Sequence, residues 1–224
     1  QVWGIYAAIT VAFALLGAQC MRETHSPVAR PAAVASLREG LALVWKDKLI
    51  AGFMVVVLLN TAGVFGSIVI TSPYLIGTYG YSQAEASISG IAQQPCIIAG
   101  VALAKGLIRF SAERAQGVGL LVLAGGLGVQ ASGLGQVTWW LGFVVVGMSY
   151  GMLDTSRTTL ISLRVGEEHQ AKLQGVIQLC YLVGQTSGQL VWGRDIFSSG
   201  AEAGEGFLIS SAIACFCFCW FVGL

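Results

Sequence analysis

An all-α polytopic membrane protein is the fold class this sequence predicts, and three observations carry it. Seven apolar stretches run through the 224 residues, at 1–20, 49–72, 83–104, 117–136, 139–163, 173–193 and 206–224. Each is about long enough to cross a ~30 Å hydrocarbon core as a helix rising 1.5 Å per residue. Charged residues make up 10% of the chain and hydrophobic ones 55%; a soluble domain carries about a quarter charged residues. Finally, ten of the twelve Lys and Arg residues sit in alternate gaps between the stretches.

Those basic gaps hold Arg22, Arg30, Arg38, Lys46 and Lys48, then Lys105, Arg109 and Arg114, then Arg164 and Lys172. The gaps 73–82 and 137–138 hold no basic residue, and 194–205 sets Arg194 against Asp195, Glu202 and Glu205. Basic loops stay cytoplasmic, so residue 1 is expected outside and residue 224 inside.

Taken in order, stretch 1–20 lacks the basic leader and small-residue cleavage site of a signal peptide. The chain starts without Met and stops within an apolar run, so it reads as a fragment of a longer protein. Connection 21–48 begins polar, with Pro27 and Pro31, and then turns amphipathic. Val34, Leu37, Leu41, Val44 and Trp45 recur at three- and four-residue spacing, which predicts an interfacial helix with Trp45 at headgroup level. Stretch 49–72 carries Asn60, Gly63, Ser67 and Thr71. The small residues read as packing, whereas the Asn60 amide needs partners at depth and is a substrate-pathway candidate. In 83–104, Pro95 removes a backbone hydrogen bond and predicts a kink, with Gln94 beside it as a second pathway candidate. Stretches 117–136 and 206–224 lack charge and any deep polar stripe, so they read as lipid-facing scaffold.

Stretch 139–163 holds the only charges placed well within a span, Asp154 and Arg157. Each costs about 2.5–3.5 kcal/mol at mid-membrane, against roughly 0.3–0.6 kcal/mol gained per Leu, Ile, Phe or Val. The nine such residues in the stretch offset about one charge, not two. Arg157 lies about 10 Å from the cytoplasmic end and can snorkel; Asp154 lies about 15 Å in and cannot. At 100° per residue, Gly147, Gly151, Asp154 and Thr158 share one face. Asp154 is therefore either a cavity-lining, titrating carboxylate or half of an i,i+3 salt bridge with Arg157. The sequence favours function for Asp154 and structure for Arg157. In 173–193, Gln174, Gln178, Tyr181, Gln185, Gln189 and Trp192 form one polar stripe, which must face protein or water. It serves as a pathway wall or as interhelical hydrogen-bond glue worth about 0.6 kcal/mol per contact. Gln178, Tyr181 and Gln185 lie deep enough to be pathway candidates; Gln174 and Gln189 lie near the ends and read as glue.

Thirty glycines suit membrane helices that approach closely, and Gly147-x-x-x-Gly151 and Gly184-x-x-x-Gly188 have the spacing for it. All six cysteines lie in or at the edge of spans, which argues against a disulfide framework. Cys215, Cys217 and Cys219 alternate, so neighbours in that run point about 200° apart on a helix and cannot converge on a metal. His25 and His169 have no companions at ligand spacing, and no phosphate-binding loop or nucleophile constellation is present. No cofactor, metal or nucleic-acid partner is expected, and the chain does not read as an enzyme.

Arg38–Asp47 resembles the loop helix before helix 7 of many exporters in the major facilitator superfamily. Tyr79–Ala86 resembles the entry to helix 8, and Glu167–Gly175 resembles the loop between helices 10 and 11 of tetracycline-resistance-type and related drug exporters. The run Lys105–Arg114 keeps the basic character of the family's helix 8–9 loop signature but not its acidic residue or second glycine. The resemblance implies helices 6 to 12 of a twelve-helix fold. Residues 1–20 would end the N-terminal bundle, 21–48 form the central cytoplasmic loop, and 49–224 form the C-terminal six-helix bundle. It implies a secondary transporter in a lipid bilayer, moving a small molecule by alternating access as a proton-coupled efflux system. The N-terminal bundle would be its missing partner. The polar stripes fall on the four helices that line the cavity in this superfamily. A seven-helix receptor has the same topology, but no Asp-Arg-Tyr closes the third span and no Asn-Pro-x-x-Tyr lies in the last. A non-transporting protein on the same scaffold is the other alternative, and substrate and host membrane are not legible.

Overall fold

The computed structural model describes residues 37–193 and 203–223. The expected first span, the polar start of the 21–48 connection and the 194–202 gap lie outside the described residues. Among the described residues seven helices run in order: α1 Leu37–Lys46, α2 Lys48–Tyr79, α3 Gln83–Ile108, α4 Ala112–Ala131, α5 Gln136–Arg164, α6 Glu167–Val191 and α7 Ala203–Gly223. Among the described residues, α2, α3, α5 and α7 are long and apolar enough to cross a membrane. The charged first turn of α4 and the glutamines of α6 dilute their hydropathy.

Local chemistry sets the helix ends. The Asp47 carboxylate accepts from the backbone N–H of Leu49 at 2.9 Å, so α2 restarts one residue after α1. α2 then continues through Pro73 to Tyr79, seven residues past the expected end, and stops where Gly80 adopts φ 70°. Its amide donates to the Ile76 carbonyl and that of Tyr81 to the Leu75 carbonyl, closing the free end of the helix. Ser82 and Glu85 form a reciprocal capping box at the start of α3, which runs unbroken through Pro95. Ser111 caps α4, which begins and ends five residues earlier than expected, because Gly133 at φ 66° breaks the chain beyond it.

The run 167–175, expected as a loop, is instead the first turns of α6. Glu167 opens the helix, where a carboxylate suits its positive end. The Gln170 side-chain amide donates to the Ser162 carbonyl at 3.2 Å and the Val165 carbonyl at 3.4 Å, satisfying free carbonyls at the end of α5. Only Val165 and Gly166 separate the two helices.

α5 packs along α3 and α4, α4 along α7, and α2 along α7 and α6. Both glycine pairs seen in the sequence lie where backbones nearly touch. A Cβ on Gly151 would stand 2.0 Å from the Ile97 carbonyl oxygen, and one on Gly188 2.2 Å from that of Ala62. Gly100 answers from α3, since its Cβ would stand 1.9 Å from the Met148 carbonyl oxygen. At one end of the bundle, Tyr74 and Trp139 stack at 6.1 Å, with Phe143 and Phe207 packed against Trp139. There the Tyr81 hydroxyl accepts from the side chains of Gln136 and Trp140. α4 and α7 act as scaffold: Ser211 of α7 donates to the Ala124 carbonyl at 2.8 Å, and Phe207 is fully buried.

α1 docks on the start of α6. Lys172 Nζ lies 2.7 Å from a Glu39 carboxylate oxygen, Val44 is buried, and Trp45 remains 84% exposed. Gly40 permits the contact, because a Cβ there would meet the Lys172 carbonyl oxygen at 2.7 Å. The hydrogen bond from Lys172, reinforced by its charge, holds Glu39 below the usual 4.5 of its carboxyl. A depressed carboxylate supports a contact that is present above that ordinary value and fades as pH falls through the lowered one. Gly40→Val is expected to release α1. Amide exchange over Leu37–Lys46 should accelerate by about tenfold or more, as for loss of 1–3 kcal/mol of packing. Unchanged exchange would show that the docking tolerates a side chain.

Candidate functional site

α5 and α6 are neighbours in the chain yet meet only marginally in space. Where they part, beside α3, lies a cavity of about 300 Å³. α5 lines it with Tyr150, Asp154, Arg157 and Thr158, an i, i+4, i+7, i+8 stripe. α6 supplies Gln174, Ile177, Gln178 and Tyr181 at i, i+3, i+4, i+7, and α3 supplies Ile97. The glycine seam positions this wall: Gly151 presses α5 onto α3 at Ile97, and the next turn of α5 delivers Asp154.

The charges in the cavity are arranged unequally. Arg157 is 4% exposed, and its Nε and Nη1 have no hydrogen-bond partner. Its guanidinium carbon sits 5.3 Å from the centre of the Tyr181 ring, which is itself held edge-on by Phe65 at 5.8 Å. The Tyr150 hydroxyl is a second buried group without a partner. Asp154, by contrast, is exposed to the cavity. The i,i+3 salt bridge, one of the two readings of Asp154, does not form: among the described residues the ion pairs are Arg164 with Glu113 and Lys172 with Glu39. Arg157 turns toward the Tyr181 face on α6 instead of snorkelling toward the end of α5. A buried charge without a counterion costs several kcal/mol, so the arrangement stores unused binding capacity.

Of the other residues singled out in the sequence, Gln178 and Tyr181 join Asp154 and Arg157 in the cavity wall. Asn60, Gln94 and Gln185 do not. Asn60 is 5% exposed inside α2, and its side-chain oxygen lacks a partner. Gln94 is exposed on α3, and Gln185 is half-buried one turn beyond Tyr181. Gln174 lines the cavity although its place near the end of the expected span suggested otherwise, because α6 begins at Glu167 and Gln174 lies two turns inside it. Tyr150 was legible as the residue one turn before Asp154 on the same face. Ile97 and Ile177 carry no sequence signal that separates them from ordinary apolar positions.

A larger cavity of about 620 Å³ lies among α2, α4, α5, α6 and α7. Its walls are almost wholly apolar, with Glu113, Arg114 and Arg164 as its charged residues, so the convergent polar chemistry belongs to the smaller one.

A family model described as Major Facilitator Superfamily matches residues 1–189. Among solved structures, a crystal structure of a single-residue variant of the nucleoside transporter NupG is similar, with a TM-score of 0.63 over 89% of this chain and 21% sequence identity. The chain spans about half of that transporter's length, 55%. At that identity the likeness concerns the fold. No curated protein matches the chain.

Proposed function

Because the chain belongs to the major facilitator superfamily, we propose that it forms one half of a secondary transporter, with the α3–α5–α6 cavity as this half's wall of the solute path. The observation that carries the reading is a polar cavity, set between apolar helices, that holds a carboxylate and a guanidinium not paired with each other. Unpaired ionisable groups within membrane helices mark solute or ion pathways. In the transport cycle, two bundles rock about a shared site, exposing it to each side in turn. The rigid glycine seams of α3 with α5 and α2 with α6 suit helices that move as blocks.

Within that scheme Asp154 is the candidate coupling group, since it is exposed in the cavity and one turn from the α3 contact. Tyr181 and Gln178 shape the opposite wall. The basic gaps support a cytoplasmic α1 end of the bundle, with Trp45 at the interface. The resemblance of 167–175 to drug exporters supports export, although that run is helical here. The substrate is a small polar molecule, and the N-terminal half supplies the facing wall.

The test is Asp154→Asn in the full-length protein reconstituted in proteoliposomes. The response of flux to an imposed pH gradient should fall by about 5–150-fold, the usual range of a coupling free energy, while counterflow without a gradient persists. Wild-type flux and wild-type response to the gradient in this variant would discard Asp154 as the coupling group.

A further inference from the structure

We infer that the α3–α5–α6 cavity takes an anionic group of its solute, a carboxylate or phosphate, with Arg157 as the anchor. This rests on the reading of that cavity as a transport site. A guanidinium is almost never fully buried without a partner. Yet Arg157 is 4% exposed, two of its donor nitrogens are unsatisfied, and no carboxylate among the described residues pairs with it. The acids that form ion pairs do so with other cations, and Asp154, though it lines the same cavity, forms none with Arg157. Glu113 pairs with Arg164, Glu39 with Lys172, and Asp154 is exposed on the same helix.

Tyr181 explains how the charge is tolerated and why it stays available. The ring stabilises the guanidinium through its face. The N–H donors lie in the guanidinium plane and remain free, a planar fork that matches the oxygens of a carboxylate or phosphate. The unpartnered Tyr150 hydroxyl adds one further donor, and the Gln174 and Gln178 amides line the α6 wall. Asp154 accepts hydrogen bonds, so the favoured solute carries hydroxyl or ammonium groups beside its anionic end. Polyols without an anionic end offer the Arg157 donors only neutral acceptors, and pure cations offer none.

The experiment uses the full-length protein in detergent and measures thermal stabilisation by gluconate, glucose 6-phosphate, glucose and tetraethylammonium, with sulfate controlling for ionic strength. Gluconate or glucose 6-phosphate is expected to stabilise the wild type beyond sulfate, and the two arms separate carboxylate from phosphate. Arg157→Gln should weaken that binding roughly ten- to hundredfold, as for loss of charged hydrogen bonds, and Arg157→Lys should weaken it less. Gln178→Ala serves as a second probe of the same wall should Arg157→Gln fold poorly, and it too should lower anion affinity. Stabilisation by glucose or tetraethylammonium alone, or equal anion binding by wild type and Arg157→Gln, overturns the inference. If a neutral or cationic solute is carried equally by wild type and Arg157→Gln, the anion anchor fails while transport stands. If no solute is bound or carried, and Gln178→Ala and Tyr181→Ala change nothing, the transport reading fails with it.

Discussion

Gly151→Leu is expected to leave almost no folded protein. A Cβ at this position would stand 2.0 Å from the Ile97 carbonyl oxygen and 2.7 Å from the Val101 backbone nitrogen. Both obstacles are backbone, so no side-chain rotation relieves them. Overpacking a core ordinarily costs about 1–3 kcal/mol because neighbours shift slightly. Here α3 and α5 must separate along their length, which also removes the fit of Gly100 beneath Met148 and of Gly147 against Cys96. Proteins hold only about 5–15 kcal/mol in reserve. Gly188→Leu should fail in the same way, since its Cβ would meet the Ala62 carbonyl oxygen at 2.2 Å and part α2 from α6. Gly77, Gly90 and Gly106 are the controls: a Cβ at any of them meets nothing within 4 Å. Alanine there should be neutral or slightly stabilising, by up to about 1 kcal/mol. Size-exclusion profiles of fluorescently tagged variants separate the outcomes. A monodisperse wild-type peak for Gly151→Leu would mean that the helices are not in backbone contact.

The glycine seams show what was legible from sequence. Spacing of four alone identified Gly147 with Gly151 and Gly184 with Gly188, apolar stretches located α2 to α7, and amphipathic spacing located α1. Boundaries were less legible, because an apolar window locates hydrocarbon and not hydrogen bonds. α2 passes beyond its expected end since nothing stops it before Gly80, and α6 begins early because polar residues such as Glu167 make good first turns. The site was half legible. Periodicity put Asp154 on one face and Gln178 with Tyr181 on another, but it could not say which faces meet. Gln185 and Gln189 share the α6 stripe yet miss the cavity, whose α6 wall ends at Tyr181. Least legible was the Arg157 rotamer. Three residues from an aspartate, a salt bridge was one of the two readings the sequence left open. The Tyr181 ring on another helix competes for the guanidinium, and such a tertiary contact has no signature in local sequence.

Arg157→Met is expected to stabilise the protein and end its transport. Methionine is unbranched and adaptable, so it can follow the same channel between α5 and α6 without a new clash. It removes a guanidinium with two unsatisfied nitrogens, for which the desolvation penalty is about 1–3 kcal/mol or more. It forfeits a cation–π contact with Tyr181 worth about 0.5–2 kcal/mol. On membrane-insertion scales the same penalty is about 2.5–3.5 kcal/mol, one cost measured in two ways and counted once. The balance favours the variant by about 1–3 kcal/mol, a Tm rise of roughly 2–4 °C per kcal/mol for a protein of this size. A functional site that withholds stability in this way gains it when the functional group is removed. The opposite sign belongs to the opposite role. If Arg157 orders the helices, methionine lowers Tm, and flux falls only as the folded fraction falls. Measuring Tm and flux on the same preparation decides between them, since only a solute-binding guanidinium predicts that the two move apart.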